Sequence, residues 1–203
     1  MLINKQIILK ETPQGKLSNS HFKTISSDIT SPDDGKVLIE TLYISIDAAN
    51  RAWMQGRTYR NQILPGNLMA GFALGKIIET KSDNFKVGDI VEGDLGWQNY
   101  SLKSENEIEK AHIISSLSLH MSVLGITGRT AYFGLKLADL KKEDTVLISA
   151  AAGAVGNVAG QIAKIKGCRV IGITSSEEKA KWLTQDLGFD GVVNYKNGNL
   201  VKD

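Results

Sequence analysis

Glycine and alanine residues between a β-branched run and a helix-like segment give the strongest chemical signal in the chain. Val146-Leu147-Ile148 is typical of a short buried strand, and the small-residue turn from Ala150 to Gly156 follows it. In such a turn Gly153 lets the backbone approach a pyrophosphate, and Gly156 lets helix and strand pack closely. The N-terminus of the next helix offers free N–H groups to the anion. Ala151 stands first in the G-x-G-x-x-G spacing, so the pattern alone fits a buried turn equally well.

The elements around this turn must position it, and they form a repeat. Helices are predicted over Asn157–Lys166 and Ser176–Leu187, strands over Cys168–Thr174 and from Val192, and Gly188 is placed as the C-cap glycine of the second helix. Strand, helix, strand, helix, strand is one mononucleotide-binding half of a Rossmann, doubly wound parallel sheet. This context favours nucleotide binding over a bare structural turn.

The end of the second predicted strand indicates which dinucleotide is bound. An NAD site usually has Asp or Glu about 20 residues after the first glycine, where it binds the ribose hydroxyls. Here Thr174, Ser175 and Ser176 occupy that place, and the first carboxylate is Glu177. The Ser175 hydroxyl and the Lys179 ammonium suit a 2′-phosphate, which predicts NADPH rather than NADH. Ser176 also fits an N-cap of the next helix, and both roles are compatible.

Composition excludes several classes of protein. The 203 residues include 42% hydrophobic and 23% charged residues with a net charge of +2, which favours neither nucleic acid nor an anionic surface as partner. No apolar run has membrane-spanning length, and the N-terminus lacks the features of a signal peptide. The single cysteine, Cys168, is expected to pack inside a strand, which fits a reducing, cytoplasmic location.

The N-terminal half has a different pattern. Short β segments are predicted around Val37–Glu40, Ala73–Glu79 and Asp89–Val91, separated by turn sequences such as Asp33-Asp34-Gly35. Residues 118–140 then predict a helix interrupted at Gly125 and Gly128. The sequence therefore predicts an α/β protein with a mostly antiparallel β domain over residues 1–117 and a partial Rossmann domain over residues 118–203.

Several motifs together resemble a known family. They are Thr127-Gly128-Arg129-Thr130-Ala131-Tyr132-Phe133-Gly134-Leu135, the AAAGAVG turn, Ser176-Glu177-Glu178-Lys179, Leu187-Gly188-Phe189-Asp190 and Asn194-Tyr195. This combination resembles the zinc-independent medium-chain dehydrogenase/reductases, most closely the branch of the alkenal, prostaglandin and curcumin reductases. The resemblance implies a GroES-like β domain before the Rossmann domain, and NADPH-dependent reduction of activated carbon–carbon double bonds.

The same resemblance implies residue roles. Gly153, Ala154, Val155 and Gly156 would face the pyrophosphate of NADP(H); Ser175, Lys179 and Tyr195 would hold its adenosine phosphate end; Ile126 and Thr130 would lie near the nicotinamide. From the residues alone, Tyr195 fits strand-end packing equally well, and Ile126 and Thr130 fit simple helix packing. The substrate would be an α,β-unsaturated carbonyl compound or a quinone, and a homo-oligomer, such as a dimer, or self-association is expected.

Two departures from the family limit these implications. The family's reductases commonly have S-V-D-P-Y-M-R where this chain has Ser45-Ile46-Asp47-Ala48-Ala49-Asn50-Arg51, so no role of that tyrosine transfers to Ala49. The catalytic residues stay unknown; Asn50 is a weak candidate, and a loop asparagine bonded to its own backbone is the more usual role of such a residue. The chain also stops eight residues after Tyr195, before the second mononucleotide half.

The early stop leaves two hypotheses for function. One is an NADPH-dependent enone, alkenal or quinone reductase, and the other is a truncated, non-catalytic nucleotide-binding or interaction fragment of such a reductase. In the second case Val146–Ser149 is expected to be an exposed apolar strand edge. No metal is expected, because Cys168 and the scattered His21, His112 and His120 do not have zinc-ligand spacing.

Overall fold

The chain folds into two compact units, one up to Leu117 and one from Ser118 onward. The computed structural model describes residues 2–196. The N-terminal unit is built on antiparallel sheets and the C-terminal unit on a parallel sheet flanked by helices. The predicted fold class is confirmed.

The N-terminal unit contains a five-stranded antiparallel sheet and a two-stranded hairpin. The sheet has the order β6-β3-β4-β5-β7, and β1 pairs with β2. The strands are β1 (Ile3–Leu9), β2 (Phe22–Asp28), β3 (Lys36–Ile44), β4 (Phe72–Thr80), β5 (Ile90–Asp94), β6 (Tyr100–Ser104) and β7 (Ile108–Lys110). Short 3₁₀ helices cover Asn19–His21 and Glu105–Glu107. The first two predicted β segments fall in β3 and β4, and the third begins at Asp89, one residue before β5.

Buried aliphatic residues of alternate strand positions form the core of this sheet. Val37, Ile39, Ile77 and Val91 are fully buried and belong to one cluster. Leu38 and Leu74 are also buried, so burial in β3 and β4 is not limited to alternate positions, and both faces of these strands are covered there. A second cluster, which includes Leu9, Trp53 and Met69, joins the hairpin to a helix.

That helix is α1 (Ala48–Gln55), and the sequence did not predict it. The prediction that Asn50 lies in a loop is wrong, because residues 48–55 are helical. Asp47 caps the helix, because its carboxylate accepts from the Ala49 amide at 2.7 Å. The Asp47 amide in turn donates to Oδ1 of Asn50 at 2.7 Å, so the two side chains cap reciprocally.

The C-terminal unit contains a three-stranded parallel sheet in the order β10-β9-β8. Its strands are β8 (Thr145–Ile148), β9 (Arg169–Thr174) and β10 (Gly191–Asn194). Its helices are α2 (Leu117–Met121, which begins at the boundary between the units), α3 (Ile126–Leu137), α4 (Ala154–Ile165) and α5 (Glu177–Lys181). A π-helical turn over Trp182–Asp186 continues α5. Gly188, at φ +70°, ends this last helical segment in the left-handed conformation that was predicted for it.

Several element boundaries differ from those predicted, and Gly128, which was expected to interrupt a helix, lies inside α3. Helix α4 begins at Ala154, three residues earlier than expected, because Gly153 already has the extended conformation of an N-cap. Cys168 lies just before β9 rather than inside it. As expected it packs: it is buried, and its Sγ lies 3.3 Å from the Lys141 carbonyl oxygen.

The core of this unit lies between the sheet and helices α3 and α4. Ala151, Ala163, Val170 and Leu183 are fully buried there, and Phe189 is almost so. Within residues 2–196 the longest helices have twelve residues, and none combines the length and hydropathy that a bilayer span requires.

Candidate functional site

The carboxyl ends of the three parallel strands lie side by side at one edge of the sheet. In the strand register Ile148 pairs with Gly172, and Thr174 pairs with Asn194. The segments that follow each strand therefore meet at this edge. In open α/β sheets, ligands bind at this edge, outside the carboxyl ends of the strands.

A tight turn connects β8 to α4. Ala150 adopts a left-handed conformation with φ +46°, and its carbonyl accepts from the Gly153 amide at 2.8 Å. The Ala151 amide donates to the Ile173 carbonyl at 3.0 Å, which fixes the turn against β9. The strained residue is thus an alanine, at a cost of about 1–2 kcal/mol that the surrounding bonds offset.

The first turn of α4 presents backbone N–H groups at this edge. The first helical backbone bond is donated by Asn157 to the Gly153 carbonyl at 3.1 Å, so the amides of Ala154, Val155 and Gly156 precede the hydrogen-bond ladder. Gly153 is the N-cap and has no side chain to accept from them. The helix dipole adds partial positive charge here, so the arrangement suits an anion.

The two glycines of the turn differ in what surrounds them. A Cβ on Gly156 would lie 2.5 Å from the Ala150 carbonyl oxygen and 2.9 Å from the Ala151 Cα, so backbone would have to move. A Cβ on Gly153 would meet only Ala150, at 3.0 Å from its carbonyl oxygen and 4.0 Å from its Cβ. Gly156 therefore permits the close packing of helix on turn, whereas Gly153 leaves space on the open side.

The segments after β9 and β10 lie next to each other. The Tyr195 amide donates to the Thr174 carbonyl at 3.2 Å, which places the half-exposed Tyr195 beside Ser175. Ser176 caps α5, since its Oγ accepts from the Lys179 amide at 3.3 Å. The Lys179 side chain is exposed on the first turn of α5. The structure thus brings Ser175, Lys179 and Tyr195 to the same sheet edge as the glycine turn.

Ile126 and Thr130 lie one turn apart on α3. Ile126 is the first residue of the helix and is 67% exposed, and Thr130 Oγ1 donates to the Ile126 carbonyl at 2.7 Å. The Thr130 hydroxyl oxygen can still accept a further hydrogen bond.

Asn50 belongs to the N-terminal unit and is 4% exposed. Its Oδ1 accepts from the Asp47 amide, and its Nδ2 donates to the Ala70 carbonyl at 3.1 Å. Both ends of the side-chain amide are therefore used in joining α1 to the segment before β4.

An ion pair stabilises the sheet behind the turn. Lys164 on α4 contacts both carboxylate oxygens of Asp190 at 2.8 Å, and the Val170 amide donates to Asp190 at 2.6 Å. The Lys164 hydrogen bond and then the Val170 amide lower the pKa of Asp190 below its ordinary value of 3.8. Asp190 therefore connects α4, β9 and the start of β10.

Three residues that determine this geometry, Gly160, Gly172 and Phe189, were not predicted as site residues from the sequence. A Cβ on Gly160 would lie 2.0 Å from Phe189 Cζ, so the ring rests against the helix where a side chain is absent. The spacing of Gly156 and Gly160, four residues apart on one helix face, was a signal available in the sequence.

Among the residues that the structure describes, no three His, Cys, Asp or Glu side chains lie together in a way that could hold a metal ion.

Both units of the chain are similar to known protein families. Residues 5–111 match the family described as the N-terminal domain of oxidoreductase, and residues 154–203 match the family described as zinc-binding dehydrogenase. The first match alone spans more than half of the chain.

Individual oxidoreductases are similar to almost the whole chain. The chain is 42% identical over 202 residues to the putative NADP-dependent oxidoreductase YfmJ of Bacillus subtilis, covering 98% of this chain and 59% of YfmJ. It is 37% identical over 208 residues to prostaglandin reductase 1 of Bos taurus, covering 100% of this chain and 61% of that protein. The crystal structure of CurA in complex with NADPH from Vibrio vulnificus superposes with a TM-score of 0.86 at 35% identity, over 95% of this chain and 58% of CurA.

The chain thus spans about 60% of the length of these relatives. Domain matches, relatives and structural similarity agree with the motifs that the sequence presents. The chain belongs to the medium-chain dehydrogenase/reductase family, in the branch of the alkenal, prostaglandin and curcumin reductases.

Proposed function

We propose that this chain binds NADP(H) at the carboxyl edge of its parallel sheet. The observation that carries the proposal is the turn after β8, where the amides of Ala154, Val155 and Gly156 precede the α4 ladder and Gly153 leaves open space. A pyrophosphate requires this combination of donors, helix dipole and close backbone approach. The names of YfmJ and of the CurA complex support NADP(H) as the dinucleotide.

The adenosine end of the cofactor is assigned to Ser175, Lys179 and Tyr195. The Lys179 ammonium would pair with the 2′-phosphate, the Ser175 hydroxyl would donate to it, and the half-exposed Tyr195 ring lies beside Ser175 to pack on the adenosine. Ser176 is already used as the α5 cap. The residues present therefore fit a phosphorylated ribose better than a bare one.

The nicotinamide end is assigned to Ile126 and Thr130 on α3. The exposed Ile126 side chain offers an apolar surface, and the Thr130 hydroxyl oxygen is free to accept a bond after donating to Ile126. When bound, the cofactor would supply a hydride to a carbon–carbon double bond that is activated by a carbonyl group.

We infer that the lineage of this chain is one of NADPH-dependent reductases of enones, alkenals or quinones. The family membership supports this substrate class. The proton donor stays unassigned, because Asn50 is buried and its amide is used by Asp47 and Ala70. The division at residue 117 into a GroES-like domain and a nucleotide-binding domain is part of the same proposal.

Paired ligand titrations test the binding proposal. We expect the purified chain to bind NADPH more tightly than NADH, and adenosine 2′-monophosphate more tightly than adenosine, by calorimetry. Equal affinities within each pair would contradict the 2′-phosphate assignment, and absence of NADPH binding would contradict the site as a whole.

A turnover assay separates the two functional hypotheses. Oxidation of NADPH with a simple enone or a quinone, followed by absorbance, would support a reductase. NADPH binding without turnover would favour the non-catalytic, nucleotide-binding alternative.

A further inference from the structure

Ala151 and Gly172 face each other between the turn and the sheet. Ala151 is completely buried, and its amide is bonded to Ile173, the residue after Gly172. A Cβ built on Gly172 would lie 2.9 Å from the Ala151 Cβ, closer than two carbon atoms can approach without displacement. The methyl group of Ala151 thus occupies the space that a side chain at position 172 would need.

This pair explains how the turn can have an alanine, Ala151, at the first position of the G-x-G-x-x-G pattern. That position is usually glycine because the turn is tight. Here the positive φ belongs to Ala150, so Ala151 needs no glycine-like backbone and needs only room for its methyl group. Gly172 supplies that room from the neighbouring strand.

Gly172 also contacts the residues that hold α4. Its Cβ would lie 3.1 Å from Phe189 Cδ1 and 3.2 Å from Leu183 Cδ1. The Phe189 ring in turn fills the space beside Gly160 on α4. A side chain at position 172 would therefore push on the turn through Ala151 and on the helix through Phe189, the two elements that present the amides of Ala154 to Gly156.

We propose that Gly172 is a positioning residue for the pyrophosphate turn and acts as one half of a compensating pair with Ala151. This inference rests on the proposed binding of NADP(H) at that turn. It predicts that the volume shared by positions 151 and 172, rather than the residue at either one, sets the affinity of the turn for its ligand.

A double-mutant cycle tests the pair. Gly172→Ala is expected to weaken NADPH binding roughly tenfold, and Ala151→Gly in the same chain to restore most of that loss, since contacting residues couple. Ala151→Val overfills the same space from the other side and should weaken binding comparably. Gly191→Ala is the matched control, because its Cβ would meet only the flexible end of Ile171, at 3.1 Å.

Two readouts distinguish positioning from simple loss of stability. Adenosine 2′-monophosphate lacks the pyrophosphate, so its affinity should change less than twofold in a variant that has only moved the turn. The ¹⁵N–¹H resonances of Ala154, Val155 and Gly156 should shift in Gly172→Ala and return toward the wild-type positions in the double variant, with no ligand present.

The outcomes are separable. If Gly172→Ala binds NADPH like the wild type, or if the double variant is no better than the single one, the pair has no positioning role. If Gly172→Ala does not fold, the comparison of Ala151→Val with the control Gly191→Ala decides instead. Unchanged NADPH binding and unchanged amide resonances in Ala151→Val overturn the proposal. If the wild-type chain itself fails to bind NADPH, the proposed function fails, while the amide resonances still test whether the two positions couple.

Discussion

The side-chain amide of Asn194 donates a hydrogen bond of 3.2 Å to the carboxylate of Glu177. Asn194 ends β10 in register with Thr174, so this bond holds the first acidic side chain after β9 close to the candidate 2′-phosphate position. A carboxylate there opposes a bound phosphate by like-charge repulsion. The candidate site therefore combines Lys179 with a nearby unfavourable charge.

Glu177→Gln is expected to tighten NADPH binding and to leave NADH binding unchanged. The glutamine keeps an oxygen for Asn194 while removing the charge, and the gain should be about 0.5–1 kcal/mol because the site is exposed. Glu178→Gln is the control, since it removes the neighbouring first-turn carboxylate of α5. Equal gains for NADPH and NADH would contradict a phosphate beside Glu177.

Lys179→Ala is expected to weaken NADPH binding by roughly 1.5–3 kcal/mol and to affect NADH little, because one charge-assisted bond to the 2′-phosphate is lost. Lys181→Ala is the matched control, since it removes the same charge at the last residue of α5, two residues further from the end of β9. Isothermal titration with both cofactors measures the difference. An equal loss of affinity for NADPH and NADH would show that Lys179 attracts both cofactors by its charge and does not bind the 2′-phosphate.

Gly153→Val is expected to abolish NADPH binding while both units stay folded. The added Cβ meets only Ala150, whose carbonyl oxygen lies at 3.0 Å, but the side chain fills the open side that a pyrophosphate needs. Fluorescence titration and circular dichroism measure the two effects. Normal NADPH binding by this variant would show that the phosphate lies elsewhere.

Gly156→Ala should show the opposite balance. Its Cβ would lie 2.5 Å from backbone, so we expect the free energy of unfolding to fall by about 1–3 kcal/mol. Gly134→Ala in α3, where the Cβ meets nothing within 4 Å, is the control and should be neutral or slightly stabilising. Chemical unfolding of the three proteins compares them directly.

Asp190 predicts an acid-sensitive connection between α4 and β9. Its pKa is lowered in the folded state, chiefly by the Lys164 hydrogen bond, so its ionised form stabilises the fold above its ordinary value of 3.8. This contribution is lost as the pH falls below 3.8 and through the lower folded pKa. Protection of the Val170 amide from hydrogen exchange should decline over that range in the wild type.

Asp190→Asn removes the titrating group and so supplies the comparison. The difference in Val170 protection between wild type and variant should be constant above about pH 5 and should shrink as the pH falls below it. A difference that does not depend on pH would show that the carboxylate acts only as a hydrogen-bond acceptor that asparagine replaces.

The sequence predicted the parallel sheet well because its signals are local. Val146–Ile148, the glycine turn and Gly188 each have a residue type whose conformational preference matches its place in the fold. The mixed β unit was predicted less completely. Most residues of strands β1 and β2 are polar or exposed, so these strands lack a clear apolar pattern. Helix α1 is stabilised by reciprocal capping between Asp47 and Asn50, and the comparison with the family motif did not indicate a helix there.

The fine geometry of the candidate site depends on contacts between residues distant in sequence. The pairing of Ala151 with Gly172, and the position of Phe189 against Gly160, arise only when strands and helix pack together. Ala150 adopts a left-handed conformation although it is not a glycine, so its residue type did not predict that conformation. Composition and spacing located the turn, but the volumes around it follow from packing, which the sequence does not state.

Strand β8 forms one edge of the three-stranded parallel sheet. Within residues 2–196, β8 pairs with β9 alone, and Leu147 at its centre is 62% exposed. An apolar strand with an unpaired edge is a template for association with another chain. We expect the 203-residue polypeptide to self-associate with increasing concentration, as light scattering coupled to size exclusion would detect. Leu147→Lys should reduce this association, because a lysine on an edge strand opposes pairing, whereas Val87→Lys, at a position 63% exposed in the N-terminal unit, should not. A monodisperse monomer at all concentrations, or equal effects of the two lysines, would show that β8 does not mediate contacts between copies of the chain.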